Sequence, residues 1–199
     1  MAPPTSKFKF HNQGNNVIPQ DLSTFELKTR YRTDLWRKAP STNDANVPAY
    51  VTEAFSVTNF NKARVIVEAD WKRLYDQGGL VLLFPDGTDT PAWIKTGIEV
   101  YDGRQNVSTV ATPAGGEVTS DWSLVPISSS RATIEIERKG VALWVYIVGE
   151  DGKRSGVREV TWAFGKQDAV VEVGVYCCRP SQGEGTDELT VSFSALQIE

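Results

Sequence analysis

The sequence has a single histidine, His11, close to its start, and two cysteines, Cys177 and Cys178, that are neighbours. One histidine leaves nothing from which to assemble a His-based metal site or a Ser-His-Asp triad. Adjacent cysteines on a strand point to opposite faces, so an ordinary disulfide between them is not expected. There is no phosphate-cradling G-x-x-x-x-G-K-[ST] loop and no dinucleotide fingerprint. No apolar stretch approaches the roughly 20 residues that span a bilayer. The start, MAPPTSKFKFHN, lacks the basic head and apolar run of a secretory signal. A strong charge of one sign is missing too: Lys+Arg 21 stand against Asp+Glu 25, a net charge of -4. These absences predict a cytoplasmic protein with no cofactor, no metal, no nucleic-acid partner and no membrane partner.

What is present is strand-like throughout. The 199 residues are 40% apolar, enough to bury a sizeable core in one domain spanning residues 1–199. Residues 25–33, 63–69 and 189–198 alternate apolar and polar side chains. The last run sets Leu189, Val191, Phe193 and Ala195 against Thr190, Ser192 and Ser194. Leu80 to Phe84 is continuously apolar, as suits a strand covered on both faces. Lys139-Gly140 separates two further runs and predicts a hairpin. Residues 38–48, 85–91 and 181–187 read as loops by composition. Many short strands with Gly, Pro, Asn and Asp between them imply an all-β sandwich or jelly roll.

The stretch Trp93-Ile94-Lys95-Thr96-Gly97-Ile98-Glu99-Val100 carries most of the candidate chemistry. Alternation puts Ile94, Thr96, Ile98 and Val100 on a core face. It puts Trp93, Lys95, Gly97 and Glu99 on the other. An indole offers a flat apolar face to a sugar ring, and Lys and Glu bond hydroxyls. Gly97 is expected to leave room for something to approach the backbone between them. The bland reading is a solvated sheet face with Trp93 at its rim. Lys95 and Glu99 stand about 13 Å apart at ~3.3 Å per residue, too far for a direct pair through the strand alone.

Tyr75, Asp76 and Gln77 form a second polar set just before the buried strand, with a turn as the alternative role. Ser120-Asp121-Trp122-Ser123 and Thr33-Asp34-Leu35-Trp36 are a third and a fourth. Asp86 and Asp89 are loop carboxylates, better read as turn chemistry than as a calcium site. Asn106-Val107-Ser108 fits a glycosylation acceptor by chance.

The ordered series TDLW, LYDQGGLVL, WIKTGIEV, NVSTVAT, SDWS and VGVYCCRP resembles the DUF1349 family and the fungal regulation-of-enolase proteins within it. The likeness spans nearly the whole chain. It implies a concanavalin A-like jelly-roll β-sandwich of two antiparallel sheets. It also implies a cytoplasmic role linked to carbohydrate metabolism, with enolase as a partner. The family motifs fall on Asp34 and Trp36; Tyr75, Asp76 and Gln77; Trp93, Lys95 and Glu99; Ser108; and Asp121 and Trp122.

Besides a protein-interaction module with enolase as its partner, two functions follow. One is a regulatory binder of a sugar or sugar-derived small molecule, with Trp93, Tyr75, Gln77, Asp34, Trp36, Ser108, Asp121 and Trp122 as ligand residues. The alternative is an enzyme, a glycoside lyase or hydrolase, with Glu99, Asp76 and Lys95 as catalytic residues. Two-carboxylate hydrolysis needs a pair of acids roughly 5–10 Å apart. Glu99 has no partner on its own strand, so Asp76 or Asp121 would have to supply it.

Overall fold

A computed structural model describes residues 7–183 and 187–199. In chain order its strands are β1 (Phe8–His11), β2 (Thr24–Thr29), β3 (Leu35–Lys38), β4 (Thr42–Ala45), β5 (Ala49–Thr52), β6 (Phe55–Ser56), β7 (Lys62–Ala69) and β8 (Gln77–Phe84). They continue with β9 (Ala92–Tyr101), β10 (Arg104–Thr112), β11 (Asp121–Pro126), β12 (Arg131–Lys139), β13 (Ala142–Val148), β14 (Arg154–Val160), β15 (Val170–Cys178) and β16 (Leu189–Ile198). The protein is all-β, a concanavalin A-like jelly-roll sandwich of antiparallel strands.

One sheet runs β1-β5-β15-β8-β9-β10-β11, with β6 on the end of β15. The other runs β14-β13-β12-β7-β16-β2. Alternation places one side-chain set of each sheet in the layer between them. Leu80, Leu82, Ile94, Ile98, Val107, Val175 and Cys177 meet Val65, Val67, Ile134, Ile136, Val145, Val191 and Phe193 there. Each such side chain stabilises the fold by roughly 1.5–3 kcal/mol.

The continuous apolar run of β8 has its expected cause: both faces of that strand are covered. Val81 points away from the main core into a second cluster with Leu35, Val47, Trp93, Val110, Tyr176 and Cys178. The cover comes from the β3–β4 hairpin, in a segment whose composition predicts a loop from residue 38. Leu35, and Val47 just after the hairpin, belong to this cluster and Trp36 packs against it, whereas β4 itself is polar and mostly exposed.

Three further readings change. The strand expected over 25–33 ends at Thr29, and Tyr31 instead makes an isolated parallel bridge to Arg179. In β16 the register shifts between Ser194 and Gln197, and Ala195 takes a φ of 52°. That irregularity turns Leu196, not Ala195, into the core. Gly97 does leave room, but the neighbouring strand fills it. A Cβ there would lie 2.0 Å from the carbonyl oxygen of Gly78, and Gly79 meets the backbone of Gly97 in the same way.

Both cysteines are free and buried, Cys177 in the core between the sheets and Cys178 in the outer cluster. Asn106, of the chance glycosylation match, is buried within β10. Asp86 caps its own turn by accepting from the backbone and hydroxyl of Thr88. Among the described residues, no group of three or more His, Cys, Asp or Glu could hold a metal. No helix there is long and apolar enough to cross a membrane.

Candidate functional site

Strand register builds the floor of the site. Cys178 pairs with Gln77, Gln77 with Glu99, and Glu99 with Asn106 across β15, β8, β9 and β10. Opposed residues in an antiparallel pair share a face. One step along lie Tyr176, Gly79, Gly97 and Ser108, and one step further Val81, Lys95, Val110 and Trp122. Gln77, Glu99 and Lys95 therefore face one side, with backbone and Ser108 between them.

The walls come from three other places. Asp34 and Trp36 reach in from the start of the β3–β4 hairpin. Pro180 follows β15. Tyr75 enters from the turn before β8, in a left-handed conformation with φ 65°. Together Asp34, Trp36, Tyr75, Gln77, Lys95, Glu99, Val110, Trp122 and Pro180 enclose a cavity of about 260 Å³. Tyr101 backs the aromatic wall, its ring centroid 5.0 Å from Trp122 and 6.0 Å from Tyr75. A larger cleft of about 500 Å³ lies elsewhere, around Phe84, Pro113 and Trp162, and holds none of the candidate residues.

The polar groups are tightly arranged. Lys95 Nζ donates to Asp34 Oδ1 at 2.8 Å, and the Cys178 thiol lies 3.8 Å from the same oxygen. Burial opposes the charge on Lys95, and the carboxylates of Asp34, bonded to it, and Glu99 favour it. Trp122 Nε1–H donates to Glu99 Oε2 at 2.9 Å and lies 3.2 Å from Ser108 Oγ. Burial pushes the Glu99 carboxyl up, against the lowering effects of Ser108, Lys95 and Trp122. Burial also pushes the Cys178 thiol and the Tyr176 phenol well up, so both stay neutral. The Oε1 atom of Gln77 is buried without a hydrogen-bond partner.

Seven candidate residues thus meet in one cavity: Asp34, Trp36, Tyr75, Gln77, Lys95, Glu99 and Trp122. Ser108 supports the Trp122–Glu99 contact from the neighbouring row. Three residues fall elsewhere. Trp93 shares its face with Lys95 but lies beneath the β3–β4 cover, only 3% exposed and packed in the outer apolar cluster. It presents no free indole to a ligand. Asp76 is fully buried and held by Arg179, at 2.7 Å from Nε and 2.8 Å from Nη2, and by the backbone N–H groups of Lys72 and Arg73. It shapes the Tyr75 turn and is not free to act as a base. Asp121 precedes Trp122 on β11, so it must face the other way. It pairs on the surface with Arg158.

Val110 and Pro180 line the cavity without having been singled out. Val110 was within reach, because it sits two residues from Ser108 on the same strand. Pro180 and Arg179 depend on chain crossings that no local pattern encodes.

The family model described as "Protein of unknown function (DUF1349)" matches residues 11–199. The chain belongs to the DUF1349 family. A DUF1349 chain of this kind is 36% identical to the uncharacterized protein AN7484 of Emericella nidulans, over 93% of this chain and 89% of that one. It is 33% identical to Regulation of enolase protein 1 of Saccharomyces cerevisiae, over 52% of this chain and 48% of that one. Among solved structures, a functionally unknown Saccharomyces cerevisiae protein aligns with a TM-score of 0.79 at 24% identity, covering 99% of this chain and 98% of that one. The laminarinase catalytic domain of Thermotoga maritima aligns at 0.56 and 14% identity, covering 100% of this chain and 92% of that one. These two likenesses establish the fold of this DUF1349 protein and nothing about its chemistry.

Proposed function

We propose that this protein binds a sugar or sugar-derived small molecule in the cavity over Gln77, Lys95 and Glu99, and that binding serves a regulatory role in carbohydrate metabolism. One observation carries the reading: Gln77 offers a buried acceptor with no partner, beneath an aromatic wall. An unsatisfied buried polar atom costs about 1–3 kcal/mol, and a ligand hydroxyl would remove that cost. The faces of Trp36, Tyr75 and Trp122 suit the apolar side of a ring. At about 260 Å³ the space is below the roughly 300–1,000 Å³ typical for drug-sized ligands. It suits one ring better than a chain.

Binding is favoured over hydrolysis because Glu99 lacks a free carboxylate partner. Asp76 is engaged by Arg179, Asp34 by Lys95 and Asp121 by Arg158. The name of the yeast relative supports enolase as the protein partner. Two buried free thiols support work in a reducing, cytoplasmic setting.

Titration calorimetry with a panel of monosaccharides and sugar acids tests the proposal. Saturable binding that Trp122→Ala abolishes, in a variant that still folds, is the expected result. No binding of any panel member would overturn it.

A further inference from the structure

The charges in the cavity do not cancel. Asp34, Lys95 and Glu99 line it. The Lys95 ammonium is taken by Asp34 at 2.8 Å. Glu99 is only 3% exposed, and among the described residues it makes no ion pair; its direct bond comes from the neutral indole of Trp122. A buried carboxylate without a counter-ion is costly, and most are paired. A cationic ligand would supply the partner that an ionised Glu99 lacks.

The rest of the cavity suits one. Trp36, Tyr75 and Trp122 line the same space as Glu99, and aromatic faces attract ammonium groups, the indole most strongly. The unpartnered Gln77 Oε1 can accept only from a donor, and an ammonium or a hydroxyl would both serve. An anionic sugar fits less well. Its carboxylate would meet Glu99 and would compete with Asp34 for Lys95.

We propose that the ligand is a single-ring amino sugar whose protonated amine pairs with the Glu99 carboxylate beneath the Trp122 indole. This rests on the reading of the cavity as a sugar site. The ring hydroxyls then meet the Gln77 amide and the remaining N–H groups of Lys95.

Calorimetry at neutral pH on the full chain separates the two claims. The probes are the amine, hydroxyl and N-acetyl forms of glucose, galactose and mannose, together with glucuronate and cyclohexylamine. In at least one sugar series the amine should bind about tenfold or more tightly than the other two forms, with glucuronate weaker still. Glu99→Gln, checked for an unchanged melting profile, should bring that ratio to about one. Neutral sugars binding as tightly as the amines would overturn the amine inference and leave the sugar site standing. Cyclohexylamine binding without any sugar would support the ammonium pairing with Glu99 but overturn the amino sugar. No binding by any probe would overturn both. Selectivity in the unmodified protein decides the matter even if the variant misfolds.

Discussion

The Trp122 indole N–H donates to Glu99 Oε2 at 2.9 Å, joining an edge strand to the centre of the eight-stranded sheet. This bond orients both the aromatic wall and the acid of the cavity. Trp122→Phe keeps most of the ring and removes the donor. A hydrogen bond to a charged group contributes roughly 1.5–3 kcal/mol, less where water can substitute. Denaturant unfolding should show a loss of about 1–2 kcal/mol, and ligand affinity should fall with it.

Glu99 sets a pH dependence with a definite sign. Burial raises its folded-state pKa above the ordinary glutamate value. The groups facing it are Lys95 on its own strand, Asp34, Tyr75, and Tyr176 and Cys178 on β15. Between the unfolded and folded pKa values the native state binds the extra proton. Stability contributed by this group is therefore highest below about pH 4.5 and declines as pH rises through the folded value. Comparing unfolding free energies of the unmodified protein and Glu99→Gln across pH 4–8 should show that decline in the former only.

Tyr75 holds a backbone conformation that side chains other than glycine adopt at a cost of about 1–2 kcal/mol. Its ring packs against Tyr101 and Trp122. Tyr75→Gly relieves the strain as it loses the ring, whereas Tyr75→Ala loses the ring and keeps the strain. The glycine variant should be more stable than the alanine variant by about 1 kcal/mol in chemical denaturation. Both should lose affinity. Equal stability would mean that the backbone there is not strained.

Much of the fold was legible because strand alternation is local. The rows of Glu99 and Lys95 follow from a period of two, and the hairpin at Lys139-Gly140 follows from turn chemistry. What stayed hidden depended on distant segments. Trp93 reads as a rim residue until the β3–β4 hairpin covers it, and that hairpin is too polar to announce itself. Asp76 reads as a candidate base until Arg179, 103 residues later, closes on it. Gly97 reads as room for a ligand until the close approach of β8 is seen. Periodicity gave the face of each residue and could not give what lies above it.

Asp76 and Arg179 form a buried pair, 0% and 3% exposed at the side chain, whose loss strands a charge. Asp76→Asn should destabilise by about 3–5 kcal/mol, read by thermal or denaturant unfolding. Loss of sugar affinity in this variant should track unfolding. A folded, stable Asp76→Asn protein that still binds ligand but has lost a catalytic activity would show that the acid has a chemical role after all.

Gly97→Ala places a Cβ 2.0 Å from the Gly78 carbonyl oxygen, in backbone that cannot yield without parting two strands. It should destabilise by more than about 3 kcal/mol or abolish soluble expression. Gly87→Ala, where no atom lies within 4 Å and only a φ of 79° is strained, should cost about 1–2 kcal/mol.

The most direct measurement is a crystal of the full chain soaked in a mixed panel of sugars, amino sugars among them. Ligand density should lie between Trp36, Tyr75 and Trp122, with a polar atom within bonding distance of Gln77 Oε1. Density over a different surface, or a well-ordered crystal whose cavity holds only water at saturating sugar, would contradict the account.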